Sequence, residues 1–151
     1  MMKVSDCIAP GNVELDLNAS SKARLLQALS ERASRSIGMD ERDILAALQN
    51  REKLGSTGIG AGIAIPHAPI PGLERPFGLL ARLGKRVNFD SIDGQPVDLV
   101  CLVLTPTESC SAHLTLLSRV ARLLRSPEAL AKLRGAASAQ HAYAVLCEAD
   151  A

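Results

Sequence analysis

The sequence predicts an α/β protein, a single-domain sandwich over residues 1–151 in which a central mixed β-sheet is flanked by helices on both faces. Three observations lead there. Strand-like and helix-like segments alternate along the chain, the pattern of layered α/β architectures. The run Val97 to Leu104 is apolar apart from Asp98, as a central strand covered on both faces reads. With 151 residues, 47% of them hydrophobic, the chain can hide about 70% of its unfolded surface in one core.

Each element has a local reason. Val13 to Leu17 alternates as Val-Glu-Leu-Asp-Leu, a half-buried strand, and Ser20 or Ser21 can cap the helix that follows. In that helix Leu25, Leu29, Ala33 and Ile37 recur every fourth residue, and Gly38 ends it. Asp40 caps a second helix with Ile44, Leu45, Ala47 and Leu48 on one side. A glycine-rich segment follows, then Ala68-Pro69-Ile70-Pro71-Gly72 as a loop. Strands are expected over Phe77 to Leu83, in a short piece around Val87 to Phe89, and over Val97 to Leu104. A third helix is expected from Ser111 to Leu124. A fourth opens at Ser126-Pro127-Glu128, with serine as cap and proline at the first helical position, and Ser138 to Cys147 forms the last. No internal repeat, low-complexity tract or interdomain linker interrupts the series.

Composition narrows the function. Seventeen basic against sixteen acidic side chains leave a formal net charge of +1, so no strong field selects nucleic acid or anionic lipid. Phe77, Phe89 and Tyr143 are too few for base-stacking platforms. The N-terminal stretch Met1 to Cys7 lacks the apolar core of a signal peptide, and Leu99 to Leu104 is far short of a membrane span, so a cytoplasmic protein without membrane insertion is expected. Cys7, Cys101, Cys110 and Cys147 show no Cys-x-x-Cys pairing, which argues against a zinc site or disulfide framework; Cys101 reads as a small core residue.

The chemistry converges on Gly58-Ile59-Gly60-Ala61-Gly62-Ile63-Ala64-Ile65-Pro66-His67. The glycines let backbone approach a ligand or bend sharply, and Pro66 pushes Ile65 toward extended conformation, so His67 is presented on a stiff segment. An imidazole there can be a nucleophile, a proton shuttle or a metal ligand, or only a structural hydrogen-bonding group. At 100° per residue, His113 falls within the apolar stripe of Leu114, Leu116, Leu117, Val120, Ala121, Leu123 and Leu124, and points inward from the first turn of its helix. Burial and the helix dipole there favour its neutral form; it is a hydrogen-bond donor or a satisfied core histidine. Arg119, Arg122 and Arg125 lie opposite, in solvent. Arg51 follows Ile44 by seven residues and so aims inward from the last turn of the second helix, either complementing the dipole or offering a planar fork to phosphate oxygens. Glu52 and Lys53 turn away and read as surface residues. Gly-x-Gly-x-Gly matches neither a dinucleotide fingerprint nor a Walker loop, and no Gly-x-Ser-x-Gly elbow is present.

The string Arg51-Glu52-Lys53-Leu54-Gly55-Ser56-Thr57-Gly58-Ile59-Gly60, running into Ile63-Ala64-Ile65-Pro66-His67, resembles the phosphorylation-site signature of enzyme IIA domains of the fructose/mannitol class in the bacterial phosphotransferase system. Phe89-Asp90-Ser91-Ile92-Asp93-Gly94-Gln95-Pro96-Val97-Asp98-Leu99 and His113-Leu114 are similar to that family's second and third signatures. The likeness spans nearly the whole chain, and its tone is nearest the nitrogen-regulatory branch. One departure is Ala68-Pro69, where the family often carries glycine and a basic residue.

The resemblance implies that His67 is the phosphorylated residue and that Arg51 and His113 support it. Thr57 and the Gly58 and Gly60 amides are further candidate phosphate donors at the edge. It implies no cofactor and no metal, because a phosphohistidine donor already carries an activated group. The implied partners are a histidine phosphocarrier protein (HPr or its nitrogen-branch relative) and regulatory targets such as transporters and sensor kinases. Two alternatives stand beside this phosphotransferase reading: a sugar-specific enzyme IIA passing phosphate to a IIB cysteine, and a non-catalytic binding module in which His67 and His113 are structural or hold a metal.

Overall fold

The computed structural model describes residues 3–108 and 110–150, and the side chains of all of these except 110–112. The side chains of Cys110 and of Ser111, the expected start of the third helix, thus lie outside the described residues, as do Met1 and Met2. After short 3₁₀ turns at Val4–Asp6 and Pro10–Asn12, the order is β1 (Val13–Leu17), α1 (Lys22–Ile37), α2 (Glu41–Glu52), β2 (Gly58–Gly60), β3 (Ile63–Ala64), β4 (His67–Ile70), β5 (Phe77–Val87), β6 (Val97–Pro106), α3 (Cys110–Leu123), α4 (Pro127–Gly135) and α5 (Ala139–Ala149).

The helix boundaries have identifiable causes. Ser21, Asp40, Ser126 and Ser138 each accept a backbone N–H of the following turn, and Pro127 needs no donor at the first helical position. Gly38, at φ 71°, closes α1 in the left-handed region.

The six strands form one mixed sheet in the order β1-β5-β6-β3-β2, with β4 also on β6. β6 is its centre, antiparallel to β5 and parallel to both β3 and β4. β1 runs parallel to β5, and β2 folds back antiparallel on β3. Successive strand residues face opposite sides, so the sheet divides the interior in two. Ala64, Ala68, Ile70, Val100, Leu102 and Leu104 pack with Leu25, Leu29, Ile44 and Leu48 of α1 and α2. Ile63, Ile65, Leu99, Cys101 and Val103 pack with Leu116 and Val120 of α3, Leu130 and Leu133 of α4, and Val145 and Leu146 of α5. Helices thus cover both faces, as expected.

Two expectations need correction. Phe77–Val87 is one continuous strand rather than Phe77 to Leu83 and a separate piece. Ala68–Ile70 belongs to β4 rather than to a loop. Pro69 is tolerated there because β4 pairs only with β6, leaving an edge where a missing N–H breaks no ladder bond.

Candidate functional site

His67 opens β4 opposite Val103 of β6. By strand alternation it takes the side of Ile63, Ile65 and Val103, the face that α3 covers. Both ring nitrogens are engaged. Nδ1 lies 2.8 Å from the carbonyl oxygen of Ile65, which can only accept, so Nδ1 carries the proton. Arg51 Nε, from the last turn of α2, donates to Nε2 at 3.3 Å, so Nε2 holds the lone pair. Half-burial, followed by the Arg51 cation, pulls the imidazole below its ordinary pKa, against the hydrogen bond to Ile65 and the nearby Glu52 anion. The group is therefore neutral at pH 7, with a defined tautomer.

Arg51 also donates through Nη1 to the Gly55 carbonyl at 3.0 Å, which fixes the guanidinium in the turn beyond α2. Glu52 is the residue that sequence reasoning missed. Its side chain is only 7% exposed, and it binds Lys22 Nζ of α1 at 2.9 Å and accepts from both Thr57 N, at 3.0 Å, and Thr57 Oγ1. One signal pointed to it: an acid in the last turn opposes the helix dipole, so its presence there asks for a partner. Lys53 is exposed, as expected.

The glycine segment forms the β2–β3 hairpin, pinned from outside. Asp93 Oδ2 accepts from Ala61 N at 3.0 Å, and Arg134, itself paired with Asp98 at 3.0 Å, donates to Ala61 O at 2.6 Å. This explains the Asp-Gly-Gln-Pro-Val-Asp string as scaffold for the hairpin. A Cβ on Gly58 would overlap the buried Ser91 hydroxyl, and one on Gly62, at φ +82°, would meet Arg134 and Asp98. Two of the expected edge donors are committed within the protein, Thr57 Oγ1 to Glu52 and Gly58 N to Ser56 Oγ at 3.0 Å, while Gly60 lies opposite Ile63 in the hairpin.

His113 lies in the first turn of α3, the helix reached from the end of β6 where His67 pairs. Topology thus carries it to the same end and the same face of the sheet. Its Nε2 is buried without a hydrogen-bond partner among the described residues, and desolvation lowers its pKa. Two neighbours depart from the expected stripe. Leu114 is 70% exposed rather than inward-facing, and Arg119 is half-buried, paired with Asp150 at 3.0 Å, rather than solvated. Among the described residues, no group of three or more His, Cys, Asp or Glu could hold a metal ion.

A mixed sheet between helical layers, with a neutral histidine fixed beside an arginine at a strand edge, makes this a histidine-bearing α/β domain. The chain belongs to the family described as phosphoenolpyruvate-dependent sugar phosphotransferase system, EIIA 2, whose model matches residues 7–149. It is 46% identical to the nitrogen regulatory protein of Bradyrhizobium diazoefficiens over 145 residues, covering 96% of this chain and 95% of that one. It is 34% identical to the nitrogen regulatory protein of Pseudomonas aeruginosa, over 98% of this chain and 97% of that one. The crystal structure of nitrogen regulatory protein IIA-Ntr from Neisseria meningitidis superposes with a TM-score of 0.90 at 32% identity, covering 95% of this chain and 98% of the other.

Proposed function

We propose that residues 1–151 act as one cytoplasmic phosphoryl-carrier domain, accepting a phosphoryl group on His67 from a histidine phosphocarrier protein and controlling target proteins by its phosphorylation state. The observation that carries this reading is the geometry at the ring: Nδ1–H is tied to Ile65 O, leaving the Nε2 lone pair as nucleophile beside a guanidinium. In the transfer a bond forms between Nε2 and phosphorus while the donor's phosphorus–nitrogen bond breaks, the electron pair returning to the donor imidazole. Arg51 swings from Nε2 to the phosphoryl oxygens, and His113 donates to them from the first turn of α3. Thr57 and Gly58, whose donors are already engaged, shape the edge of the site, and the Gly60 amide is a further donor there.

Docking of a protein donor fits the surface. Among the described residues the large hydrophobics most exposed are Leu54 (84%), Ile92 (80%) and Leu114. All three adjoin the site: Leu54 N donates to Arg51 O, Ile92 N to Gly58 O, and Leu114 follows His113. Large apolar side chains left in solvent beside the site are available for contact with a partner protein. Among the described residues, no helix is long and apolar enough to cross a membrane. Similarity over nearly the full length of two nitrogen regulatory proteins favours regulatory output over sugar import. The test incubates the pure protein with phosphoenolpyruvate, enzyme I and a phosphocarrier, then weighs it. One acid-labile phosphoryl group is expected on the wild type and none on His67→Ala; uptake by His67→Ala overturns the reading.

A further inference from the structure

Glu52 is a buried carboxylate in the last turn of a helix, where the negative end of the dipole opposes it. A buried ion pair contributes little net stability, so its pairing with Lys22 does not by itself account for an acid at this position. Its connections do. Through Thr57, whose N–H and hydroxyl it accepts, Glu52 holds the backbone whose carbonyl receives Ile65 N at 3.0 Å, and the carbonyl of Ile65 receives His67 Nδ1 at 2.8 Å. On the other side its own carbonyl accepts Gly55 N at 3.1 Å, closing the turn whose Gly55 carbonyl holds Arg51 Nη1 at 3.0 Å while Arg51 Nε meets His67 Nε2. Lys22, which anchors the carboxylate from α1, is itself seated 4.6 Å above the ring of Phe89.

We infer that Glu52 is the positioning residue of this site: its carboxylate holds the Nδ1 side of the His67 imidazole by way of Thr57 and Ile65, while only its backbone carbonyl, common to any residue, closes the turn of Gly55 and Arg51. It touches neither phosphoryl group nor nucleophile, and it acts by fixing the carbonyl that keeps the proton on Nδ1. The inference rests on His67 being the acceptor.

The test compares wild type with Glu52→Gln, which keeps the shape but places an amide N–H₂ against donors. In nitrogen-15 spectra of the imidazole at neutral pH, the wild type should show the Nδ1–H tautomer alone and Glu52→Gln a mixture of both. Phosphoryl uptake should fall about tenfold or more, the scale at which small misplacements act. Thr57→Val removes the hydroxyl half of the same link while keeping its backbone N–H, and serves if Glu52→Gln does not fold; a smaller shift in the same direction is expected. Retention of a single Nδ1–H tautomer together with wild-type uptake in the folded variants overturns the assignment. A wild type that takes up no phosphate refutes the carrier reading instead, and the tautomer comparison, which needs no phosphate, still decides the role of Glu52.

Discussion

His67 has both ring nitrogens engaged, Nδ1 on the Ile65 carbonyl and Nε2 under Arg51, whereas His113 keeps Nε2 buried with no protein partner among the described residues. The first sits at a strand edge between two rigid attachments; the second sits in the first turn of a helix. An over-determined imidazole keeps one tautomer and one direction, the condition for a nucleophile. An unpartnered buried polar atom is costly to stability, a cost that a folded protein bears where an incoming group will meet it. In the proposed function the two histidines would divide the work: His67, held at both nitrogens, accepts the phosphoryl group, and His113, with Nε2 unpartnered among the described residues, meets its oxygens.

Removing Arg51 should have the largest effect. Arg51→Ala leaves Nε2 without its donor and the phosphoryl oxygens without a cation, and uptake in a single-turnover assay should fall about 100-fold, the size of effect seen when one preorganised donor is lost. Arg51→Lys should restore only a small part, because an ammonium lacks the fork that spans Gly55 O and Nε2. Wild-type uptake by Arg51→Ala would reduce the arginine to a dipole partner.

His113→Ala should have a smaller and differently signed profile. Uptake should fall about tenfold, while thermal stability holds or rises slightly, since the substitution removes a buried polar atom that no protein group satisfies. A loss of stability without loss of uptake would make His113 a packing residue.

The smallest effect is on pH dependence. Because burial lowers the pKa of His67, the folded ring stays neutral below the ordinary histidine value of about 6.5. Uptake should therefore be flat above pH 6.5 and decline only as pH falls through the lowered folded value. Linkage sets the sign for stability. Below about pH 6.5 the unfolded chain binds a proton at this position that the folded chain resists, so stability contributed by neutral His67 is full above that value and is lost on acidification. His67→Ala should remove this part of the acid slope in denaturant titrations. A decline in uptake beginning above pH 7 would contradict the neutral, desolvated ring.

Much of this was legible in the sequence where the signal is local. The alternation of Val13–Leu17, the serine and aspartate caps and the apolar run of β6 each depend on neighbouring residues, and their elements form where expected. Strands β2, β3 and β4 were not legible, because segments of two to four residues are too short to show a period; only the ladder to β6 makes them strands. The same distinction holds at the site. His67 and Arg51 carry local marks, the Gly-Pro setting and the inward helical angle, and the fold brings them within hydrogen-bonding distance. Glu52 was misread as a surface residue because its partners are Lys22, thirty positions earlier, and Thr57 beyond a turn. Leu114 and Arg119 were misplaced for a related reason: a helical wheel cannot know that Asp150, at the far end of the chain, draws Arg119 inward.

In the proposed carrier reaction Nε2 of His67 is the nucleophile because Nδ1–H is committed to the Ile65 carbonyl. Phosphorylating protein labelled with nitrogen-15 at histidine, and recording phosphorus–nitrogen couplings and ring nitrogen shifts in alkali, where a phosphoramidate persists, tests it directly. One phosphoryl group is expected on Nε2 of His67, with Nδ1 still protonated. Phosphate on Nδ1 of His67, or on His113 or His141, would contradict it.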